Sequence, residues 1–319
     1  MKKIISILMC IAMFFSMFSL SGYAFEVEDE FNISDYSWDD IMTMSNSDFR
    51  QLLADFERVY DPFDTYETNP IMAKHNDSDN SNTIQPRWTS GNAEHTETGS
   101  HELITARACS VLLNDKGFWG ANENGSIIIA LTLSLASILP DTEANLGRDQ
   151  LFAGHFYDPD TQENWMGHTS NTARDNASSF YDLAVANYSM SLDTDFIECV
   201  GKMLHYVQDA CVPHHAANVT GLNPSHSAFE SYADDHLDSY IGNMTSINNS
   251  TYLAGLNNNV GIIVHNAAIE AKSHIEDVNN VLFQREWGDV AEATTRAAVT
   301  NSAVVLYKLS IRLNIPLTR

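Results

Sequence analysis

HYVQDACVPHHAAN, at residues 205–218, and HSAFE, at residues 226–230, together contain four histidines and two carboxylates. The pairs His205/Asp209 and His226/Glu230 are each four residues apart. On a helix, both side chains of such a pair lie on one face, with Cβ atoms about 5–6 Å apart. Zinc binds imidazole and carboxylate groups at a low coordination number, and a helix can supply two of them one turn apart without backbone strain. The two stretches therefore predict helices around a metal site.

A single pair of this kind has a simpler explanation, because a histidine beside a carboxylate is more often a surface ion pair or a satisfied core histidine. Two such pairs together with His215, all within residues 205–230, favour a metal site instead. Pro213 is expected to end the first helix and to let His215 turn inward.

The N-terminus has the pattern of a secretory signal peptide over residues 1–24. Lys2 and Lys3 precede an apolar run over 4–20, and Ser21-Gly-Tyr-Ala24 has the small residues of a cleavage site. The chain is therefore expected to be secreted, and retention of the run as a membrane anchor is the alternative.

Charge and cysteine content limit the kinds of partner and cross-link. The net charge of −25 argues against charge-driven binding to nucleic acid or to anionic lipid. Three cysteines follow the signal peptide: Cys109, Cys199 and Cys211. An odd number cannot all pair within one chain, so free thiols are expected, with a Cys199–Cys211 bridge as the alternative.

Residues 25–87 form an acidic segment that we interpret as a propeptide. The segment is rich in Asp, Asn and Ser, and contains one amphipathic helix candidate, residues 48–60, with Phe49, Leu52, Leu53, Phe56 and Val59 on one side. It could act as a small docking element. The segment ends at Arg87, and a trypsin-like protease would accept the Arg87–Trp88 bond.

Residues 88–319 are predicted to form one all-α domain of about seven helices, since no stretch shows sustained strand alternation. The predicted helices are 100–114, 126–139, 172–190, 193–210, 227–241, 260–278 and 290–313. Pro140 is expected to end the second helix and to place Asp141 at the start of a long loop, residues 141–172, that contains His155.

The metal-ligand pattern resembles the bacterial zinc-dependent phospholipases C, which include the phosphatidylcholine-preferring enzymes and the alpha-toxin type. The resemblance rests on the residues quoted above and on Trp88, His101, Asp141 and His155, and it covers most of residues 88–230. Gln208 departs from the small residue usual at its position. The chain ends at Arg319, without room for the C-terminal membrane-binding β-domain of the alpha-toxin type, so the expected match is to the catalytic domain.

The resemblance implies three zinc ions and a ligand set for each. The implied sets are Trp88, His101 and Asp209; His155, His205 and Asp209; and His215, His226 and Glu230. Trp88 would bind through its free α-amino group and its carbonyl, and Asp141 would be a further ligand or the general base. An amide nitrogen has its lone pair delocalised into the carbonyl, so this use of Trp88 requires cleavage after Arg87.

The resemblance also implies a substrate and partners. The mature chain is expected to be a monomer that hydrolyses phosphatidylcholine or related phospholipids at a membrane surface to diacylglycerol and a phosphorylated headgroup. Choline-preferring members place an acid three residues after the N-terminal Trp and aromatic residues near the loop Asp and His. Here Gly91 and Thr142 depart from that pattern and only Phe152 keeps it, so choline specificity does not follow.

Two alternatives come from other functional classes. A single-strand nuclease of the related three-zinc type also uses an N-terminal Trp, but the 13-residue step from Trp88 to His101 and the presence of Glu230 favour the lipase. A non-catalytic zinc-dependent surface binder would not need all nine positions, Asp141 included. The remaining histidines are expected at the surface or behind the ligands: His95, His168, His214, His236, His265 and His274.

Overall fold

The computed structural model describes residues 31–60, 63, 99–145, 147–188, 192–282 and 284–318. Within these residues every regular element is a helix, and pairing between extended segments is limited to the isolated bridges Phe118–Thr318 and Asp158–Glu163. The all-α prediction is confirmed. The described residues from Ile33 onward pack as one compact unit.

The described residues form fourteen α-helices. Twelve of them follow residue 99, where about seven were predicted, because the structure adds short helices and divides the predicted segments 227–241 and 260–278 into two helices each. In chain order they are α1 Trp38–Thr43, α2 Asn46–Tyr60, α3 Ser100–Lys116, α4 Glu123–Ala136, α5 Leu139–Asn145, α6 Ala173–Asn187, α7 Thr194–Asp209, α8 Pro213–Ala216, α9 Pro224–Asp235, α10 Leu237–Ile241, α11 Asn249–Asn257, α12 Val260–Lys272, α13 Ile275–Val278 and α14 Trp287–Leu313. Short 3-10 turns cover Ile33–Asp35 and Gln150–His155. The seven predicted segments correspond to the long helices α3, α4, α6, α7, α9, α12 and α14.

The central helix α4 is largely buried, as its uniformly apolar sequence predicts. Residues Glu123–Asn145 are long and apolar enough to cross a membrane. About two thirds of this apolar stretch is buried inside the protein, as expected of core helices. The position predicted for Pro140 is wrong. Helix α4 ends at Ala136, and Pro140 lies in the first turn of α5, where a missing N–H costs nothing. Asp141 is therefore helical and not in a loop.

Helix α7 packs between α4 and α6, and all its residues from Val200 to Asp209 are buried. The Asp193 side chain caps its N-terminus by accepting from the Phe196 amide. Gly201 on α7 lets this helix approach α4 closely, because a Cβ at position 201 would lie 2.2 Å from the Cβ of Ala136. The close approach brings the carbonyl end of α4 next to His205.

Helix α2 confirms the predicted amphipathic segment and lies against the body of the protein. Phe49, Leu52, Leu53 and Phe56 are each at most 4% exposed, whereas Val59 is half exposed and does not join the buried face. The Arg50 guanidinium also reaches Asp234 on α9 at 3.2 Å. Part of the acidic segment is thus packed in the same unit as the metal-ligand residues.

The three cysteines of the described residues are all free, so the Cys199–Cys211 bridge is not formed. Cys109 and Cys211 are buried, while Cys199 is partly exposed. Burial raises the pKa of the Cys211 thiol to about 12, which makes it unreactive at neutral pH.

Candidate metal centre

Helix α7 supplies the two central side chains of the site. His205 and Asp209 lie one turn apart, as the spacing predicts, with Nε2 of the histidine 3.0 Å from Oδ2 of the aspartate. Both are at most 1% exposed. The other ring nitrogen of His205, Nδ1, lies 2.7 Å from the carbonyl oxygen of Ser137. A carbonyl can only accept, so Nδ1 carries the proton and the lone pair of Nε2 faces the cluster.

His101 reaches the same cluster from the first turn of α3. Its Nδ1 lies 2.7 Å from Oε1 of Gln208, and its Nε2 lies 3.7 Å from Oδ1 of Asp209. The Gln208 amide in turn donates to Thr105 and Ser302 at 2.9 and 3.3 Å. These donations fix the amide so that its oxygen faces His101. Burial, followed by the nearby His205, lowers the pKa of His101 to about 3, so the ring is neutral and able to bind a cation.

His155 and Asp141 complete a second group around His205. His155 Nδ1 lies 2.9 Å from His205 Nε2, 3.0 Å from Asp209 Oδ2 and 3.5 Å from Asp141 Oδ1. His155 ends the 3-10 turn that contains Leu151 and Phe152, whose φ values of 53° and 58° are in the left-handed region that such residues rarely adopt. Burial raises the pKa of Asp141 to about 7.

The third group comes from α8 and α9. His226 and Glu230 lie one turn apart with Nε2 and Oε1 at 2.9 Å, and His215 Nε2 lies 3.2 Å from the same oxygen. His215 Nδ1 also lies 3.2 Å from Asp209 Oδ1, which joins this group to the first. Burial alone would lower the pKa of His215, but Asp209 and Glu230 raise it to about 10.

Pro213 does not end the helix that carries His205, so that prediction is wrong. Helix α7 ends at Asp209, and Pro213 is the first residue of α8. The inward turn of His215 is nonetheless observed, since this side chain is 1% exposed. The chain changes direction between the end of α7 at Asp209 and the start of α8 at Pro213, and this places His215 in the interior.

The described donors fall into three groups, each within 4.8 Å, that could hold a metal ion. They are His101, His205 and Asp209; Asp141, His155 and His205; and His215, His226 and Glu230. Two ligands on one tetrahedral zinc lie about 3.3 Å apart, given bonds of about 2.0–2.1 Å. The shortest contacts within these groups, 2.9–3.7 Å, are close to that value.

An unpartnered carboxylate oxygen in the cluster also fits a cation. Asp141 Oδ2 is buried and has no hydrogen-bond partner within the described ranges. Burying carboxylates without compensation is costly, whereas divalent cations would offset their charge. The chemistry of the donor set, nitrogen and oxygen without sulfur, suits zinc.

The three groups match the implied ligand sets closely but not completely. The third is the implied one, and His101 and Asp209 share the first. In the second, Asp141 stands with His155 and His205, and Asp209 lies within 3.0 Å of both histidines. Trp88, Arg87 and Gly91 lie outside the described residues, as does His95.

Several supporting residues were not identified from the sequence. Gln208 was noted only as a departure, although it orients His101. His214 is buried and stacks on His226 with ring centroids 5.0 Å apart, and Phe156 stacks on His215 at 4.7 Å. None of these contacts follows from spacing along the chain, because each depends on how two elements pack. The other described histidines without a predicted role lie outside the metal-ligand groups: His168, His236, His265 and His274.

The residues predicted near the substrate lie beside the second group. The Phe152 ring centroid is 5.5 Å from that of His155, and the side chain is partly exposed. Thr142 follows Asp141 on α5, and its hydroxyl donates to the Ile138 carbonyl at 3.3 Å. The Phe152 ring thus lies next to His155, whereas the Thr142 hydroxyl is already hydrogen-bonded to the backbone carbonyl of Ile138.

Comparisons with known proteins identify related sequences and folds. The family model described as zinc dependent phospholipase C matches residues 100–280. The phospholipase C of Paraclostridium bifermentans is 32% identical over 168 residues, which cover 48% of this chain and 42% of that protein. A Bacillus cereus phospholipase C is 27% identical over 226 residues, covering 66% and 74%. The chain therefore spans less than half the length of the clostridial relatives it matches.

Solved structures show the same fold. The alpha toxin of Clostridium absonum superposes with a TM-score of 0.58 at 24% identity, covering 68% of this chain and 63% of that one. The Clostridium perfringens alpha-toxin gives a TM-score of 0.57, also at 24% identity, covering 70% and 66%. At this identity the likeness concerns the arrangement of helices.

Proposed function

Because the chain belongs to the zinc dependent phospholipase C family, we propose that it hydrolyses the phosphodiester bond of phospholipids to diacylglycerol and a phosphorylated headgroup. The observation that carries this proposal is the convergence of His101, Asp141, His155, His205, Asp209, His215, His226 and Glu230 into three buried donor groups. The family match also favours a lipase over the single-strand nuclease.

Three zinc ions are the proposed cofactors. When bound, zinc neutralises phosphodiester oxygens and lowers the pKa of a water towards 7. Two of the three sites are served by side chains within the described ranges. For the first site, His101 and Asp209 supply two donors, and Trp88 is proposed to supply its amino group and carbonyl.

Asp141 is the proposed general base. Its Oδ1 faces His155 at 3.5 Å, whereas its Oδ2 is buried without a hydrogen-bond partner in the described part of the chain. A free carboxylate oxygen at the edge of the cluster can orient a water and accept its proton as the water attacks phosphorus.

Headgroup preference is proposed to be broader than choline. An acidic side chain and several aromatic faces would hold a trimethylammonium group, and of the matched positions only Phe152 keeps that character. Phosphatidylcholine and phosphatidylethanolamine are therefore both expected substrates.

Maturation is proposed in two cuts. A signal peptidase would remove residues 1–24 on export, and a trypsin-like protease would then cleave after Arg87. The second cut converts the Trp88 amide nitrogen into an amine with an available lone pair. The mature, secreted enzyme is proposed to act as a monomer.

The deciding experiment assays hydrolysis of four substrates. The chain from residue 25, cleaved after Arg87 in vitro and loaded with zinc, is incubated with phosphatidylcholine, phosphatidylethanolamine, sphingomyelin or single-stranded DNA, with and without a chelator. We expect chelator-sensitive release of diacylglycerol from the glycerophospholipids. Zinc-dependent cleavage of DNA alone would overturn the proposal in favour of the nuclease.

A further inference from the structure

The most exposed large apolar side chains of the described residues are all leucines in loops. Leu282 is 83% exposed, Leu222 is 74% exposed and Leu151 is 60% exposed. The other exposed aliphatic side chains, such as Leu253 on α11 and Ile311 on α14, are exposed to 52% or less. Single exposed apolar residues are ordinary, so the question is whether these three leucines share a surface.

Hydrogen bonds connect neighbouring parts of the loops that carry the three leucines. The Asn223 side chain, next to Leu222, donates to Asn279 Oδ1 at 2.6 Å, three residues before Leu282. Asn218, in the same loop as Leu222, donates to the Glu163 carbonyl at 3.1 Å. These bonds join loop 217–223 to loop 279–286 on one side and to the long loop 147–172 on the other.

The long loop also holds Leu151 in a defined place. The Trp165 indole donates to the Leu151 carbonyl at 3.3 Å. The left-handed backbone at Leu151, φ 53°, is a conformation that a leucine keeps only when its surroundings impose it. Exposure of this leucine is therefore built into the loop.

Both ends of this set lie against the metal-ligand residues. Leu151 is followed by Phe152, whose ring lies 5.5 Å from His155. At the other end, Ser225 bonds to Asn279 at 2.8 Å and lies 3.2 Å from His214 Nε2, and His214 stacks on His226. The segment of Leu151 thus contacts the second donor group through Phe152, and the loop of Leu282 is connected to the third through Ser225 and His214.

We propose that Leu151, Leu222 and Leu282 form an apolar belt that inserts into a phospholipid surface and holds the metal centre against it. The inference rests on the proposed function, because a lipid substrate must leave its bilayer to reach buried donors. Insertion of aliphatic side chains suits a chain whose residues 88–319 carry a net charge of −16, which anionic headgroups would repel. Binding by the belt is accordingly insensitive to salt and prefers zwitterionic lipid.

The test compares a belt variant with a matched variant elsewhere on the chain. The chain from residue 25, cleaved after Arg87 and loaded with zinc, carries either Leu222→Ser/Leu282→Ser or the control Leu253→Ser/Ile311→Ser. Binding to phosphatidylcholine vesicles is measured by co-sedimentation. Hydrolysis is measured on the same vesicles and on a short-chain phosphatidylcholine kept monomeric in solution.

The belt variant is expected to lose at least about tenfold in vesicle binding and in vesicle hydrolysis, since each leucine gives up the burial of an aliphatic side chain. Its hydrolysis of the monomeric lipid is expected to equal that of the wild type. The control is expected to match the wild type in all three measurements.

Other results would overturn the belt. Vesicle binding of the belt variant equal to that of the control would do so, as would equal losses on vesicles and on monomeric lipid. If the wild type self-associates and the belt variant alone becomes monomeric with vesicle binding unchanged, the leucines serve a contact between copies instead. A wild type that binds vesicles through the belt but cleaves neither lipid would count against the proposed function and not against the belt.

Discussion

Gln208 shows how one side chain can orient a metal ligand without touching the metal. Its amide oxygen accepts from His101 Nδ1, while Thr105 and Ser302 fix the amide nitrogen. The histidine therefore presents Nε2 to Asp209 in a single tautomer. The sequence marked this position only as unusual, because the hydrogen bond exists only where α3 packs against α7.

Replacing Gln208 should weaken zinc binding at the first site. In Gln208→Met the volume is kept but the acceptor is lost, so we expect affinity for one zinc to fall by about 10–100-fold. The zinc affinity of each variant is measured by competition with a chromophoric chelator. The control Ser302→Ala removes only the longer of the two hydrogen bonds that the Gln208 amide donates, so zinc affinity should change little. An unchanged zinc affinity in Gln208→Met would rule out an orienting role for Gln208.

Asp141 should matter for turnover more than for metal content. The variant Asp141→Asn keeps the shape but cannot accept a proton, so we expect kcat to fall by roughly 10²–10⁴-fold with zinc largely retained. Phospholipid hydrolysis and zinc analysis of one preparation give both values. Asp182→Asn, at an exposed position on α6, is the control. Loss of a zinc ion in proportion to activity would instead identify Asp141 as a ligand.

At the scale of elements, the helices were predictable and their proline boundaries were not. Apolar spacing identified most of the long helices because one face packs in the core, and α4 was identified by its uniformly apolar sequence. Pro140 and Pro213 were both assigned to helix ends, yet both start helices. A proline fits either place, since it lacks an N–H and fixes φ near −65°. Sequence alone does not show where the preceding helix closes.

Helix α2 should contribute measurably to the stability of the whole unit. Phe56 is 1% exposed, so Phe56→Ala is expected to lower the free energy of unfolding by about 3–5 kcal/mol. Urea denaturation of the uncleaved chain measures the change. Val59→Ala on the same helix is the control, since that side chain is half exposed and should cost under about 1 kcal/mol. Equal values for the two variants would show that α2 does not stabilise the unit.

For the whole molecule, the metal centre was more predictable than the packing of the acidic segment. Two ligand pairs follow from spacing on a helix, and the other ligands follow from the family pattern. The position of residues 33–60 does not follow, because an acidic, Asn-rich composition favours a solvated segment. Most of its apolar residues are nevertheless buried, and Arg50 pairs with Asp234 beside Ser100, one residue before His101. Tertiary contacts overrode composition there.

Cleavage after Arg87 is therefore expected to alter the metal count while leaving the described unit intact. Before the cut, the described donors of the first group are His101, Asp209 and His205, of which His205 also belongs to the second group, and the Trp88 amide nitrogen cannot add a donor. We expect Arg87→Gln, treated with trypsin-like protease and confirmed uncleaved, to bind one zinc fewer per chain than the cleaved wild type. Arg58→Gln, at an exposed position on α2, is the control and should match the wild type in cleavage at residue 87 and in zinc. Full zinc occupancy and activity in the uncleaved Arg87→Gln protein would show that the amine is not required, because the site would then be complete without it.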